Sequence, residues 1–360
     1  MLIDIQKFLI IRLSSIGDII LTTPLIRALR KKYPNAIIDF IIKERFIDLV
    51  KSNPNLNTVI SFNEKGGFQE LRKLKHLIKN ENYDYIIDIH KNFRSYYLRT
   101  WLRKTEILKY SKDYVKRTLL VKFGIDRFES VVPVYQKYFG AAETLGVEYD
   151  GKGTEINIPS GIRSYINSEI KENGYDPKRP FIILCPGAGF YTKRWMPERF
   201  ARVGDHFSEK YKALVCVLGN ENDSDICKAV IKRMKYPAVN YAGKFSLIEA
   251  AGLMTFASLV IANDTGLMHM AQSQKRPVVA IFGSTTRELG YFPFPEGSFV
   301  IEKDESCRPC THNGRDKCPR KHFRCMKDIR SREVINRSEQ LYLSGAERLK
   351  NNDHDMDNNI

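Results

Sequence analysis

Short, unbroken apolar runs punctuate the chain and alternate with segments whose apolar residues recur at helical spacing. KFLIIR (7–12), AIIDFII (36–42), NTVIS (57–61) and YIIDIH (85–90) read as strands. A run without polar alternation is the mark of a strand covered on both faces. A helical stretch reaches to about Lys32 and restarts at Thr23-Pro24, since proline is favoured at the first helical position. Gln69–Asn80 is an amphipathic helix, and 91–150 reads as mainly helical with short breaks. After a polar stretch containing proline and glycine, 151–180, the alternation resumes. FIILC (181–185), KALVCVLG (212–219), SLVIAN (258–263) and VVAIFG (278–283) are strands, with helices from about Pro197, over 223–235 and over 247–257. Such alternation predicts parallel, doubly wound sheets. The expected class is α/β, with two Rossmann-like lobes facing a cleft. An N-terminal domain would span 1–165 and a C-terminal domain 166–330. A helix over 331–350 would pack back toward the first, and the tail 351–360, without apolar pattern, reads as disordered.

A length of 360 residues exceeds one ordinary core, which agrees with two domains. No apolar run is long enough to cross a membrane. MLIDIQKFLIIR lacks a basic n-region and a cleavage site, so it reads as a first strand and not as a signal peptide. A cytoplasmic chain is expected, and its seven cysteines are then reduced thiols or metal ligands. The net charge of +16 favours an anionic partner. The excess is concentrated over 91–137, where Phe93, Tyr96, Trp101 and Tyr110 are interleaved with lysine and arginine. Nucleic acid, an anionic membrane carrying a phosphorylated glycolipid, and solvated helix faces around aromatic cores all fit that pattern.

Ligands of an open parallel sheet lie beyond the carboxyl ends of its strands, so the loops there carry the candidate chemistry. In RLSSIGDIILTTP, Asp18 follows the first strand and offers either a general base or a helix cap. The loop lacks the glycine fingerprint of a dinucleotide site. In CPGAGFYTKRWMP, small residues let backbone amides approach an anion, and Thr192 and Lys193 add a hydroxyl and an ammonium. An ordinary connecting loop fits equally. In ANDTGLMHM, a helix begins after Asp264-Thr265-Gly266, and its free amides form an anion site. Asp264 can hold sugar hydroxyls, while a capped helix with a buried His269 is the plainer reading. Glu221 follows another strand and suits a ribose diol, or is a solvated loop residue. Cys307, Cys310, Cys318 and Cys325 are candidates for a structural zinc, with unligated or redox thiols as the alternative.

Taken together, LIIRLSSIGDIILTTPLIRAL, DIHKNFRS, PGAGFYTKRWMPERF, LGNEND, ANDTGLMHMAQSQKRPVVAIFGST and CRPCTHNGRDKCPRKHFRCMKDI resemble, in that order, the ADP-heptose:lipopolysaccharide heptosyltransferases of glycosyltransferase family 9. The likeness runs over 7–330, and the cysteine segment is more similar to the heptosyltransferase II branch. It implies a GT-B fold and an inverting transfer from ADP-heptose to the inner core of lipopolysaccharide or lipooligosaccharide, with no cofactor required for catalysis. It implies Asp18 as general base and Lys193 as the cation opposite the leaving diphosphate, with Thr192 beside it. Glu221 would hold the ribose, Phe245 would line the adenine pocket, and Asp264, Thr265, Gly266, Leu267 and His269 would meet phosphates and heptose. His90, Lys91, Arg94 and Arg99 would meet acidic groups of the lipid A–core acceptor. The partners implied are the donor, that glycolipid and the anionic inner leaflet, with the enzyme peripheral to the inner membrane and no nucleic acid bound.

Two other readings compete. A related ADP-sugar transferase acting on a protein or capsule would keep the same machinery and differ over 91–137. A basic nucleic-acid-binding protein would show steeply salt-dependent binding, and would leave Asp18, Glu221 and Asp264 without a purpose at strand ends.

Overall fold

The structure, a computed structural model, describes residues 6–102 and 104–357, with side chains described as far as 345. The chain divides into two compact units. Met1–Tyr114 and Val132–Asn157 make the first, and Val115–Val131 with Ile158–Ile360 make the second.

The first unit holds five strands: β1 (Lys7–Ile11), β2 (Ile37–Lys43), β3 (Thr58–Phe62), β4 (Tyr85–Asp88) and β5 (Glu106–Lys109). They lie in the order β3-β2-β1-β4-β5, all parallel. The order reverses beside β1, so the loops after β1 and β4 diverge at a topological switch point. The apolar runs are buried as their composition requires: Phe8 through Ile11 are inaccessible to solvent. Leu71, Leu74 and Ile78 of the Gly67–Glu81 helix pack with Leu9, Ile11 and Ile86 in one core. The helix after β1 breaks and restarts as expected. Ile16–Ile20 is one helix, and Thr23–Lys32 a second with Pro24 in its first turn.

The second unit holds six strands: β6 (Phe181–Cys185), β7 (Leu214–Val217), β8 (Val239–Asn240), β9 (Leu259–Asn263), β10 (Val278–Ile281) and β11 (Ser298–Ile301). Their order, β11-β10-β9-β6-β7-β8, is again all parallel, with the switch point between β6 and β9. Trp195, Phe200, Val203 and Phe207 cover β6, β7 and β9 from the Pro197–Tyr211 side.

Three strands escape the periodicity. β5 lies inside the stretch expected to be mainly helical, 91–150, and only Leu108 of its four residues is buried. β8 and β11 are short and half-exposed outer strands. A long helix, Ser331–Asp357, follows the second sheet and runs into the stretch 351–360 expected to be disordered, of which 358–360 lie outside the described residues.

Candidate active site

In the first unit, Asp18 is the third residue of the Ile16–Ile20 helix. One carboxylate oxygen, Oδ2, accepts from the backbone N–H and the hydroxyl of Ser15, at 3.2 and 2.8 Å, which is a cap. The other, Oδ1, lies 2.5 Å from Arg12 Nη2 and accepts from the Tyr138 hydroxyl at 3.1 Å. The cap reading therefore describes half of this carboxylate. Burial opposes its charge, but Arg12 and Ser15 outweigh burial and hold the carboxyl down at about 2. Arg12 also donates to the Ile89 carbonyl at 2.5 Å, which ties the loop after β1 to the loop after β4.

That second loop is organised by Asp88, which is fully buried at the end of β4. Asp88 accepts from the backbone amides of His90 and Lys91, from the Ser95 hydroxyl and from Arg99 Nε. Lys91 is thereby held at φ +48°, a conformation that a non-glycine residue adopts only under constraint. Lys112 donates to the carbonyls of His90 and Lys91, at 2.5 and 2.8 Å. The four expected acceptor residues thus differ in kind. Arg94 is exposed, while Arg99 is the counter-ion of Asp88 at 2.9 Å, and Lys91 Nζ donates to the Tyr110 carbonyl. His90 is neutral, because burial and the charges of Arg12 and Lys112 push it down to about 3. Burial and Arg12 likewise lower Lys112 to about 8.

In the second unit, the loops after β6 and β9 meet at the switch point. Asn263, the last residue of β9, donates to the Pro186 carbonyl and accepts from the Trp195 amide. Lys193 Nζ lies 2.7 Å from Asp264 Oδ2, which also accepts from the Thr285 hydroxyl at 2.6 Å. Thr265 caps the Gly266–Ser273 helix by position only, and its buried hydroxyl has no partner among the described residues. His269 is buried one turn further on. Thr192 faces inward: its hydroxyl accepts from the Arg315 amide and the Ser284 hydroxyl, at 2.8 and 3.0 Å. It ties the cysteine segment to the loop that carries Lys193.

Glycines set the approach of the remaining loops. A Cβ on Gly187 would lie 2.2 Å from the carboxyl carbon of Asp223, so only glycine lets the loop after β6 rest on that buried side chain. Glu221 is exposed at the turn after β7. Gly243, at φ +72°, brings the next loop against the Glu221 backbone, where a Cβ would lie 3.3 Å from its Cα. Two residues on, Phe245 rests on Tyr241 with ring centroids 4.9 Å apart.

The thiols of Cys307, Cys310 and Cys318 all lie near enough to act on Cys325 electrostatically, so the four cysteines share one neighbourhood. Among the described residues, the group whose ligand atoms all lie within 4.8 Å of one another is Glu305, Cys307 and His322. Cys325 belongs to the hydrophobic core with Cys318 packed against it, and burial pushes the Cys325 thiol up to about 12. The Arg324 amide donates to His322 Nδ1, and His322 Nε2 lies 3.8 Å from Cys307 Sγ. A carboxylate, a thiol and an imidazole are donor types that zinc accepts, so Glu305, Cys307 and His322 fit as ligands, with none of Cys310, Cys318 and Cys325 in that group.

Sequence reasoning passed over Arg12, Asp88, Lys112, Tyr138 and Thr285. Arg12 had a signal, a charged residue directly ending an apolar strand. Tyr138 had none, since it lies far from Asp18 along the chain.

Two parallel-sheet units, each with polar loops converging at its switch point, are the architecture of GT-B glycosyltransferases, one of several classes built this way. The match to a family model is specific: residues 71–319 match glycosyltransferase family 9 (heptosyltransferase), and the chain belongs to that family. It is 26% identical over 332 residues to lipooligosaccharide heptosyltransferase 2 of Campylobacter jejuni, covering 91% of this chain and 95% of that one. It is 26% identical over 283 residues to lipopolysaccharide heptosyltransferase 3 of Escherichia coli, covering 75% and 80%. A family 9 glycosyltransferase structure from Veillonella parvula superposes with a TM-score of 0.79 at 25% identity, over 96% of this chain and 99% of that one. The E. coli ADP-heptose lps heptosyltransferase II structure shares the fold, with a TM-score of 0.72 at 21% identity, over 94% and 99%.

Proposed function

We propose that this chain transfers heptose from ADP-heptose to the inner core of lipopolysaccharide or lipooligosaccharide, with inversion and without a catalytic metal. The observation that carries the reading is Asp18, a buried carboxylate at the switch point of the first sheet that is kept ionised by Arg12. Family membership and relatives named as heptosyltransferases support the donor and acceptor.

In this scheme Asp18 accepts the proton of the attacking acceptor hydroxyl. The hydroxyl oxygen forms the new bond to the anomeric carbon as the bond to the ADP phosphate breaks on the opposite face. A single displacement inverts the anomeric centre. A carboxylate held at about 2 is a weak base, so it acts late, when the hydroxyl has become acidic through bond formation. An anionic acceptor that competes for Arg12 would strengthen it.

The departing ADP gains charge. Lys193, released in part from Asp264, and the amides of Thr265, Gly266 and Leu267 stabilise it, which is preorganised electrostatics. Thr192 positions Lys193 through its interior hydrogen bonds. Glu221 holds the ribose, Phe245 borders the adenine, and Asp264 and His269 face the sugar and phosphates. His90, Lys91 and Arg94 receive the acceptor, with Arg99 fixing their loop through Asp88.

Incubation with ADP-heptose and heptose-deficient core acceptors tests the reading. Acceptor-dependent ADP release in the presence of a chelator, and a product of inverted anomeric configuration, are expected. ADP-heptose binding without transfer to any core acceptor would favour the protein or capsule acceptor instead.

A further inference from the structure

The helix Tyr114–Phe123 turns the usual pattern of a surface helix inside out. Its inward side is held by buried Leu120 and by Arg117, whose guanidinium donates to the Leu289 carbonyl at 3.2 Å and lies over the Tyr291 ring. Its outward side presents Val115 and Phe123, which are 69% and 68% exposed. Leu119, half-buried, lies between them on the same face, since residues three to four apart are neighbours on a helix. Tyr114 precedes this face, and Ile125 follows it past Gly124, whose φ of +69° ends the helix. Tyr114, Val115, Phe123 and Ile125 are all exposed. Their surroundings are basic: Lys116, Lys122 and Arg127 flank them, and over 114–128 only Asp126 opposes.

We infer that this face docks the enzyme on an anionic lipid bilayer. An apolar helix face rimmed by lysine and arginine is the form that inserts at the headgroup boundary, where apolar contact and charge attraction act together. A cytosolic protein partner would meet the apolar face but has no stated reason to be acidic, whereas a bilayer of anionic lipid answers both features. No helix among the described residues is long and apolar enough to cross a membrane, so a lipid-linked acceptor has to be met from the surface. The inference rests on the glycolipid acceptor proposed above and assigns the surface by which that acceptor's bilayer is approached.

The test uses the full chain in flotation with phosphatidylcholine vesicles and with vesicles containing phosphatidylglycerol as well. Wild type is expected to bind the anionic vesicles and to be released by salt. The double variant Val115→Glu/Phe123→Glu should lose about tenfold or more in vesicle affinity, while Phe123→Leu binds as wild type. Transfer to a deacylated, water-soluble core acceptor should be the same in all three, which shows that the variants fold. Equal vesicle binding by wild type and the double variant would overturn the inference. So would a wild type that binds neither vesicle, or a double variant that instead dissociates an oligomer seen by sedimentation. Absence of transfer by wild type to the soluble acceptor would count against the proposed reaction, and the vesicle measurement decides the surface separately.

Discussion

The Arg12 guanidinium lies 2.5 Å from the Asp18 carboxylate, and the side chains are only 7% and 12% exposed. In so buried a pair each charge offsets the cost of burying the other. Removing Arg12 leaves burial, which raises a carboxyl, opposed by the Ser15 hydrogen bonds without their strongest ally. Wild type should therefore show no acidic limb from Asp18 in kcat above about pH 4. Arg12→Met should bring such a limb upward by at least about one unit. A profile unchanged by Arg12→Met would separate the pair from the chemistry.

The same pair makes a stability prediction. Asp18 titrates below its ordinary 3.8, at about 2, so its contribution is fully present above pH 3.8 and is lost as pH falls toward 2. Asp18→Asn at neutral pH strands the buried Arg12 charge and should cost about 3 kcal/mol. Urea unfolding measures this, and the double variant Arg12→Met/Asp18→Asn should recover a large part of the loss.

Lys193 is paired with Asp264 at 2.7 Å in the free enzyme, so the ammonium is already in place when the diphosphate arrives. Lys193→Met should lower kcat by about a hundredfold or more at saturating donor. Lys193→Arg keeps the charge and should recover part of it. Steady-state kinetics with varied donor separates kcat from KM.

Lys112 is lowered to about 8 by burial and Arg12, and its ammonium holds the carbonyls of His90 and Lys91. It is charged below pH 8 and neutral above. The acceptor KM should therefore rise as pH passes 8, while the donor KM does not. In Lys112→Met the acceptor KM should be high at pH 7 and flat through 8. A pH-independent acceptor KM in wild type would contradict this.

Gly187→Ala places a methyl 2.2 Å from the Asp223 carboxyl carbon. The loop after β6 must then shift, and ADP affinity should fall about tenfold with a drop of several degrees in Tm. Gly161→Ala, a helix position with open space around it, is the control and should be neutral or stabilising.

Most of the sheet framework was legible because parallel strands covered on both faces are continuous apolar runs. β6 is buried at every residue and was placed to the residue. β5, β8 and β11 were missed because they lie at sheet edges, where few side chains are covered and no apolar run is needed. At the candidate site the pattern pointed to loops after strands, and Asp18, Lys193 and Asp264 do lie at the two switch points. What it did not reveal is which polar groups are already committed. Arg99 serves Asp88 and the Thr192 hydroxyl serves Ser284 and Arg315, and those partners are brought together only by the fold. The cysteine spacing suggested one four-thiol set; the structure brings the four thiols into one neighbourhood, and among the described residues the tight group joins Cys307 to Glu305 and His322, which lie outside that spacing.

The most direct test compares wild type with Asp18→Asn, which can still accept the Ser15 bonds, for ADP-heptose binding by calorimetry and for transfer to a core acceptor in single turnover. The account predicts donor affinity within about threefold of wild type and a transfer rate lower by at least about a hundredfold. Transfer within tenfold of wild type, with donor binding intact, would contradict Asp18 as the base.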